Sequence, residues 1–391
     1  MLEKIKRFGK VIKMKKLNWK SIVGWGIVVI LVGLAVYVNS QDKTVGVKVK
    51  VAINTPLTGL AATYHVPWNN GFKMGVRDEL HINNLPEDTF FFDIKDNQGQ
   101  TQNAFTIWQT QENKKFDVYI SGTSHITEAL RSILDKEDLA HLPVAWDADL
   151  IKECPNCIRL GINFNLETPL FLNFVDKKQA KKVFIVIHDI PAYLNLFGNQ
   201  IYPVLKERNI DFKTEAVDLK FKDYRILMEK IRRYNPDVIL LAMYDVGLQA
   251  VAPMLKEYGL THDYNTYAGA DFLELIPKNE LKTLQGFVFT APIYYVLNKE
   301  KNAKWEEEYQ KAYRTKPTYM SADGYDVGRL TARAYIHSGK ITPETIMAET
   351  PADDMMNGRI ELNKKWKDRV TGGYTSVILN DNGDFVEWKE D

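Results

Sequence analysis

Val47-Lys48-Val49-Lys50-Val51-Ala52-Ile53-Asn54-Thr55-Pro56-Leu57-Thr58-Gly59 is the stretch on which the fold turns. Its valines and lysines alternate with the period of a strand, and Thr55 to Gly59, with a proline and a glycine, reads as the exit loop. A helix follows over 68–81, where Phe72, Val76 and Leu80 recur at four-residue steps and Asn69, Lys73, Arg77 and Asp78 face water. The unit then repeats: strand 90–94, helix 102–112, strand 118–120, helix 123–135, strand 142–146. Alternation of this kind implies a parallel sheet covered on both faces.

A second series starts at 183–187 and runs through a helix to 208, a strand at 214–217, a helix at 224–234, a strand at 238–242, a helix at 246–258 and a strand at 266–268. The repeat breaks after the strand at 287–291, giving way to helices at 303–313 and 322–337. A hairpin closes the chain, 374–379 turning through Asn380-Asp381-Asn382-Gly383-Asp384 into 385–388. At 391 residues the chain exceeds what one core organises, so two βα lobes are expected.

Composition is that of a globular protein, 45% hydrophobic and 26% charged with a formal charge of +1. The balance hides an asymmetry. Lys4, Lys6, Arg7, Lys10, Lys13, Lys15, Lys16 and Lys20 face only Glu3 in the first 20 residues, and without them 43 basic residues oppose 49 acidic, or −6. A mildly acidic body argues against nucleic acid as partner.

Ile22 to Val38 is 17 residues free of charge, about long enough to cross hydrocarbon, and the basic flank places the N-terminus in the cytoplasm and the body outside. Residues 1–21 are thus a basic cytoplasmic segment, and 22–41 is an uncleaved transmembrane anchor, which its length favours, or a signal sequence cut near Ser40. Met14 as the true start would shorten the basic flank.

The two cysteines, Cys154 and Cys157, form one C-x-x-C with no His pair at metal-binding spacing, so no metal site is expected. A local disulfide pinning one loop suits an oxidising compartment; a redox role fits less well, because the motif does not open a helix after a strand.

In open parallel sheets ligands sit at the carboxyl ends of strands. The strand ending at Ile120 delivers Ser121, Gly122, Thr123, Ser124 and His125 to a helix N-terminus, a setting that suits an anion, though simple capping by Thr123 or Ser124 would use the same residues. Tyr64 and Trp68 form either an aromatic wall over a ligand or packing between helix and sheet. Asp96 and Asp381 read as turn formers.

The ordered motifs resemble type I periplasmic binding proteins, in particular the branched-chain amino-acid (Leu/Ile/Val) group of ABC-transporter substrate-binding proteins. The likeness covers residues 47–388. It rests on Ala52 to Gly59 ending in Pro-Leu-Thr-Gly, on Gly71, on Asp93 to Gly99, on Val118 to Ser124, on Ile187-His188-Asp189, on Leu255 to Leu260, on Phe287 to Ile293, and on Ala322-Asp323-Gly324-Tyr325-Asp326.

The resemblance implies two Rossmann-like lobes joined by a three-crossover hinge, with 44–163 plus 287–352 in lobe 1 and 164–286 plus 353–391 in lobe 2. It implies a small polar ligand of amino-acid type, an ABC permease as partner, and no cofactor. By its order, Thr123 and Ser124 meet the ligand carboxylate, with His125 standing where a small hydroxyl is usual. Tyr193, Tyr244 and Asp271 line the second lobe, Asp271 as the acid for an amino group or, alternatively, as a helix cap. Trp146, Asp147 and Asp149 depart from the family's small residues and favour a cationic or differently shaped ligand.

No Walker A, H-E-x-x-H, G-x-S-x-G or G-x-G-x-x-G motif is present, so an enzyme is not expected. The competing reading is a membrane-anchored sensor reporting to a partner protein. The absence of a kinase, channel or coiled coil in the chain favours transport.

Overall fold

A computed structural model describes residues 49–59, 61–111, 114–135, 139–147, 150–152, 154–218, 223–243, 245–269, 284–296 and 299–389. The segment 22–41 lies outside them, and among the described residues no helix is long and apolar enough to cross a membrane. Residues 49–391 form one compact unit.

Two large sheets organise that unit, beside a two-stranded antiparallel ribbon of β10 (Leu362–Asn363) and β11 (Asp368–Arg369). The first has four parallel strands in the order β2-β1-β3-β4, namely β1 (Val49–Thr55), β2 (Phe90–Asp96), β3 (Val118–Gly122) and β4 (Ala140–Val144). The second has seven, ordered β13-β12-β9-β8-β7-β5-β6. Its strands are β5 (Lys182–His188), β6 (Asp211–Val217), β7 (Val238–Ala242), β8 (Thr266–Ala268), β9 (Val288–Pro292), β12 (Tyr374–Leu379) and β13 (Phe385–Glu387), with β12 antiparallel to β9 and to β13. The remaining pairs in it are parallel. Strands β3 and β7 are buried at all five positions, as strands covered on both faces must be, which is why they read as apolar runs.

The helix after β1, α1 (Ala62–Ile82), starts earlier than its 68–81 periodicity suggests and packs along α10 (Tyr319–Ser338), counting helices in chain order. Gly71 and Gly75 on one helix and Gly324 and Gly328 on the other let the backbones touch: a Cβ on Gly71 would overlap the carbonyl of Ser321, and one on Gly324 the carbonyl of Trp68. Trp68 is buried there, stacked on Phe72 with its indole N–H donated to Asp323 Oδ2 at 2.9 Å. Its role is packing.

The sheets place the crossovers differently from the sequence-based boundaries. β9 pairs with β8 and β12, so the strand expected to open the second part of lobe 1 belongs to the second sheet, and the chain leaves that sheet only at about residue 293. Met355, Met356, Ile360 and Leu362 bury in the first sheet's core, and β11 (Asp368–Arg369) bridges to Arg159, so the return to the second sheet falls near 373. A buried pair holds this crossing: Arg159 binds both oxygens of Asp368 at 2.8 and 2.7 Å.

Candidate functional site

β4 ends at Val144, two residues before the sequence-expected end at Trp146, and that shift takes Ala145-Trp146-Asp147 out of the sheet and into a loop. Arg159 fixes the loop by donating to the carbonyls of Ala145 (3.1 Å) and Asp147 (2.7 Å). Trp146 packs, half-buried, against the core of the first sheet and against one of the two cores that flank the second. Tyr64 and His65 meet it edge-on, ring centroids 5.7 and 5.9 Å away.

The adjacent exit, from β3, is strained. Thr123 has φ 70°, a region that costs a β-branched residue on the order of 1–3 kcal/mol. It precedes α3 (Ser124–Leu134), whose N-terminus receives no side-chain cap from it. Capping therefore does not account for Thr123, and the helix end keeps its attraction for an anion.

Ser124 and Asp147, picked from separate stretches of sequence, do come together: the Asp147 N–H donates to Ser124 Oγ at 3.2 Å. Burial raises the Asp147 carboxyl above the usual range, against the Ser124 hydrogen bond and the Arg159 charge that lower it. His125 turns outward. Its Nε2 lies 3.1 Å from the Gly99 carbonyl, which can only accept, so the proton sits on Nε2 and Nδ1 takes the Thr123 hydroxyl at 3.3 Å.

Tyr193, on α5 (Pro191–Leu196), is buried and stacks on Phe164 with centroids 5.3 Å apart. Asp149, Tyr244 and Asp271 lie outside the described residues. Cys154 and Cys157 are joined by a disulfide, Cα atoms 5.2 Å apart, in the loop that follows Trp146. Asp96 is a latch: it accepts from Leu57 N and Gln98 N at 2.8 Å and from the Thr58 hydroxyl at 2.6 Å, tying the Pro-Leu-Thr-Gly loop to the Asp-Asn-Gln-Gly turn.

Sequence reasoning missed His65 and Glu167. His65 is fully buried under Gly122, where a Cβ would come within 2.9 Å of its Nδ1, and neither ring nitrogen has a hydrogen-bond partner among the described residues. Burial lowers its pKa to about 3, so the ring is neutral. An unsatisfied buried donor or acceptor costs about 1–3 kcal/mol. Glu167, 3% exposed, approaches the end of β8: a Cβ on Gly269 would stand 3.1 Å from its Oε2. No spacing in the sequence signals either residue, because their neighbours are tertiary.

The described exits thus offer an uncapped helix end with a hydroxyl, a half-buried carboxyl, and an aromatic edge. Such a set suits a small molecule carrying both charges.

The family model described as "Periplasmic binding protein" matches residues 48–372. Among solved structures, the chain is similar to a branched-chain amino-acid ABC transporter periplasmic ligand-binding protein from Burkholderia xenovorans, with 14% identity, TM-score 0.73, and 88% of this chain and 95% of that one covered. It is also similar to the branched-chain amino acid substrate-binding protein LivJ from Streptococcus pneumoniae in complex with isoleucine, at 16% identity and TM-score 0.68, covering 86% and 97%. A third is a solute-binding protein of an ABC transporter from Rhodopseudomonas palustris in complex with 3,4-dihydroxybenzoic acid, at 17% identity and TM-score 0.69, covering 87% and 96%. At these identities the likeness establishes the fold. A comparison with curated protein sequences found no significant match.

Proposed function

Because the chain belongs to the periplasmic binding protein family, we propose that it captures a small polar ligand of amino-acid type at the strand exits of its two sheets, outside the cytoplasm, and delivers it to an ABC-type importer. It acts as a binder, without catalysis. Residues 22–41 anchor it to the membrane with the N-terminus in the cytoplasm. The observation that carries the reading is the convergence of Thr123, Ser124, Trp146 and Asp147 at the ends of β3 and β4.

In the first sheet, the open end of α3 and Ser124 Oγ receive the ligand's carboxylate, and Tyr64 and Trp146 form the wall beside it. Asp147, with Asp149 and Asp271 from the sequence reading, supplies acceptors for an amino group, and Tyr193 and Tyr244 belong to the second-lobe side. Similar proteins have been solved with isoleucine and with 3,4-dihydroxybenzoic acid. Trp146 is too bulky for the small-residue wall of the branched-chain group, so the ligand here differs in shape from leucine.

A thermal-shift screen over amino acids, amides, small peptides and polyamines tests the assignment. A ligand present at 100 times its dissociation constant stabilises by about 2.7 kcal/mol. Asp271→Ala abolishes the shift for amino-bearing hits; an unchanged shift removes Asp271 from the site. Co-purification of a permease with the membrane-extracted chain supports delivery, whereas recovery of a signalling protein without a permease contradicts it.

A further inference from the structure

We propose that the Cys154–Cys157 loop, once its disulfide is reduced, binds a borderline-soft divalent cation of the Zn2+ type through Cys154 Sγ, Cys157 Sγ, His141 Nδ1 and Asp135 Oδ1. Sequence spacing hides this set, since His141 lies on β4 and Asp135 caps α3. The fold assembles it. His141 Nδ1 and the two sulfurs lie within 4.8 Å of one another. Nδ1 is 3.3 Å from Cys157 Sγ, and Asp135 Oδ1 is 3.0 Å from Cys154 Sγ. In a tetrahedral zinc site with bonds of about 2.0–2.3 Å, donor atoms stand roughly 3.3–3.8 Å apart; the distance from His141 Nδ1 to Cys157 Sγ already matches, the two sulfurs separate on reduction, and Asp135 Oδ1, beside Cys154 Sγ but outside the three-residue cluster, moves in as the fourth donor.

Two further features fit a metal at His141. Its other nitrogen, Nε2, lies 2.7 Å from Ser121 Oγ, which in turn lies 2.7 Å from Thr127 Oγ1; with Nδ1 on a metal, Nε2–H donates to Ser121, the outer partner that orients such ligands. The loop is also tied to β4 by backbone hydrogen bonds from His141 N to Asn156 O (2.8 Å) and from Ile158 N to His141 O (2.9 Å), so it opens without losing its register.

The chemistry balances with a phosphine as reductant. The phosphine takes the oxygen of one water to become a phosphine oxide, the S–S bond breaks, and each sulfur gains one electron and one proton. Metal binding then releases both thiol protons to solvent. In the disulfide form the sulfurs cannot serve as thiolate ligands, so the site switches with the redox state of its surroundings. Because Ser121 opens the Ser121–His125 run, the switch sits one hydrogen bond from the exit of β3.

The test is a Zn2+ titration of the full chain against a colorimetric chelator, with and without phosphine, and with Co2+ as a probe whose thiolate charge-transfer band reports sulfur ligation. The reduced chain is expected to bind one Zn2+ and show the cobalt band, and the oxidised chain neither. Cys154→Ser and Cys157→Ser are each expected to weaken binding at least about 100-fold, and Asp135→Asn about 10-fold. No Zn2+ taken up by the reduced chain, equal uptake by the oxidised chain, or uptake indifferent to Cys154→Ser would overturn the proposal. The comparison of oxidised with reduced chain needs no substitution, so a variant that fails to fold leaves the test intact.

Discussion

Thr123 holds its φ of 70° against the preference of its own branched side chain, so Thr123→Gly should raise stability by about 1 kcal/mol in urea unfolding while lowering ligand affinity. A fall in the urea midpoint would show that the backbone is unstrained. Arg159 makes the opposite case. Its guanidinium, wholly buried, binds Asp368 and two carbonyls of the Trp146 loop, and Arg159→Met strands both carbonyls and leaves the Asp368 charge with only the Asn163 and Asn165 amides, for an expected loss of about 3–5 kcal/mol; a loss below about 1 kcal/mol would remove it as the clamp. Of the candidate site, Ser124 was legible as part of a strand exit opening a helix and Trp146-Asp147 through the family resemblance, and the hydrogen bond between Asp147 N and Ser124 Oγ joins the two stretches. His65 was not. A histidine three residues into a helix announces nothing until Gly122 and Trp146 are brought against it.

The βα units were readable because strands buried on both faces leave unbroken apolar runs, and helices between them leave four-residue steps. The boundaries were less so: β9 looks in sequence like the opening of a new lobe, and only its pairing with β8 and β12 assigns it to the second sheet. The family-like motifs also acquire physical meaning at this level. Pro-Leu-Thr-Gly and Asp-Asn-Gln-Gly are two halves of the Asp96 latch. Ala-Asp-Gly-Tyr-Asp supplies the glycine at a helix crossing and two buried carboxylates, Asp323 receiving Ile162 N–H and Asp326 receiving those of Met356 and Asn357. Since a methyl at Gly71 or Gly324 meets backbone rather than a movable side chain, Gly71→Ala or Gly324→Ala should cost about 2–3 kcal/mol. An unchanged thermal midpoint in either variant would show that α1 and α10 part without penalty.

For the whole molecule, buried titrating groups set how stability follows pH. Burial holds His65 and His141 at about 3 and, against the charge of Asp218, His188 at about 4, whereas unfolded histidine titrates at 6.5. Asp326 moves the other way, raised by burial to about 7 despite its two backbone hydrogen bonds. Between about pH 4.5 and 6, unfolding therefore takes up three protons on the histidines and releases one from Asp326. Burial also raises the carboxyls of Asp323 and Asp147, which release protons alongside Asp326 and oppose the histidines; with three rings each taking up a full proton, stability should still rise with pH in that window and level off near pH 7. Urea unfolding at pH 5 and pH 6 checks it, and equal stabilities would contradict the burial of these rings. The same two-sheet frame carries the central claim, that a ligand is held at strand exits of both sheets and draws them together. Small-angle scattering of residues 49–391, with and without a saturating hit from the screen, measures this most directly. One ligand bound per chain with a smaller radius of gyration is the predicted result; stoichiometric binding that leaves the radius unchanged, and that survives Trp146→Ala and Ser124→Ala together, would contradict it.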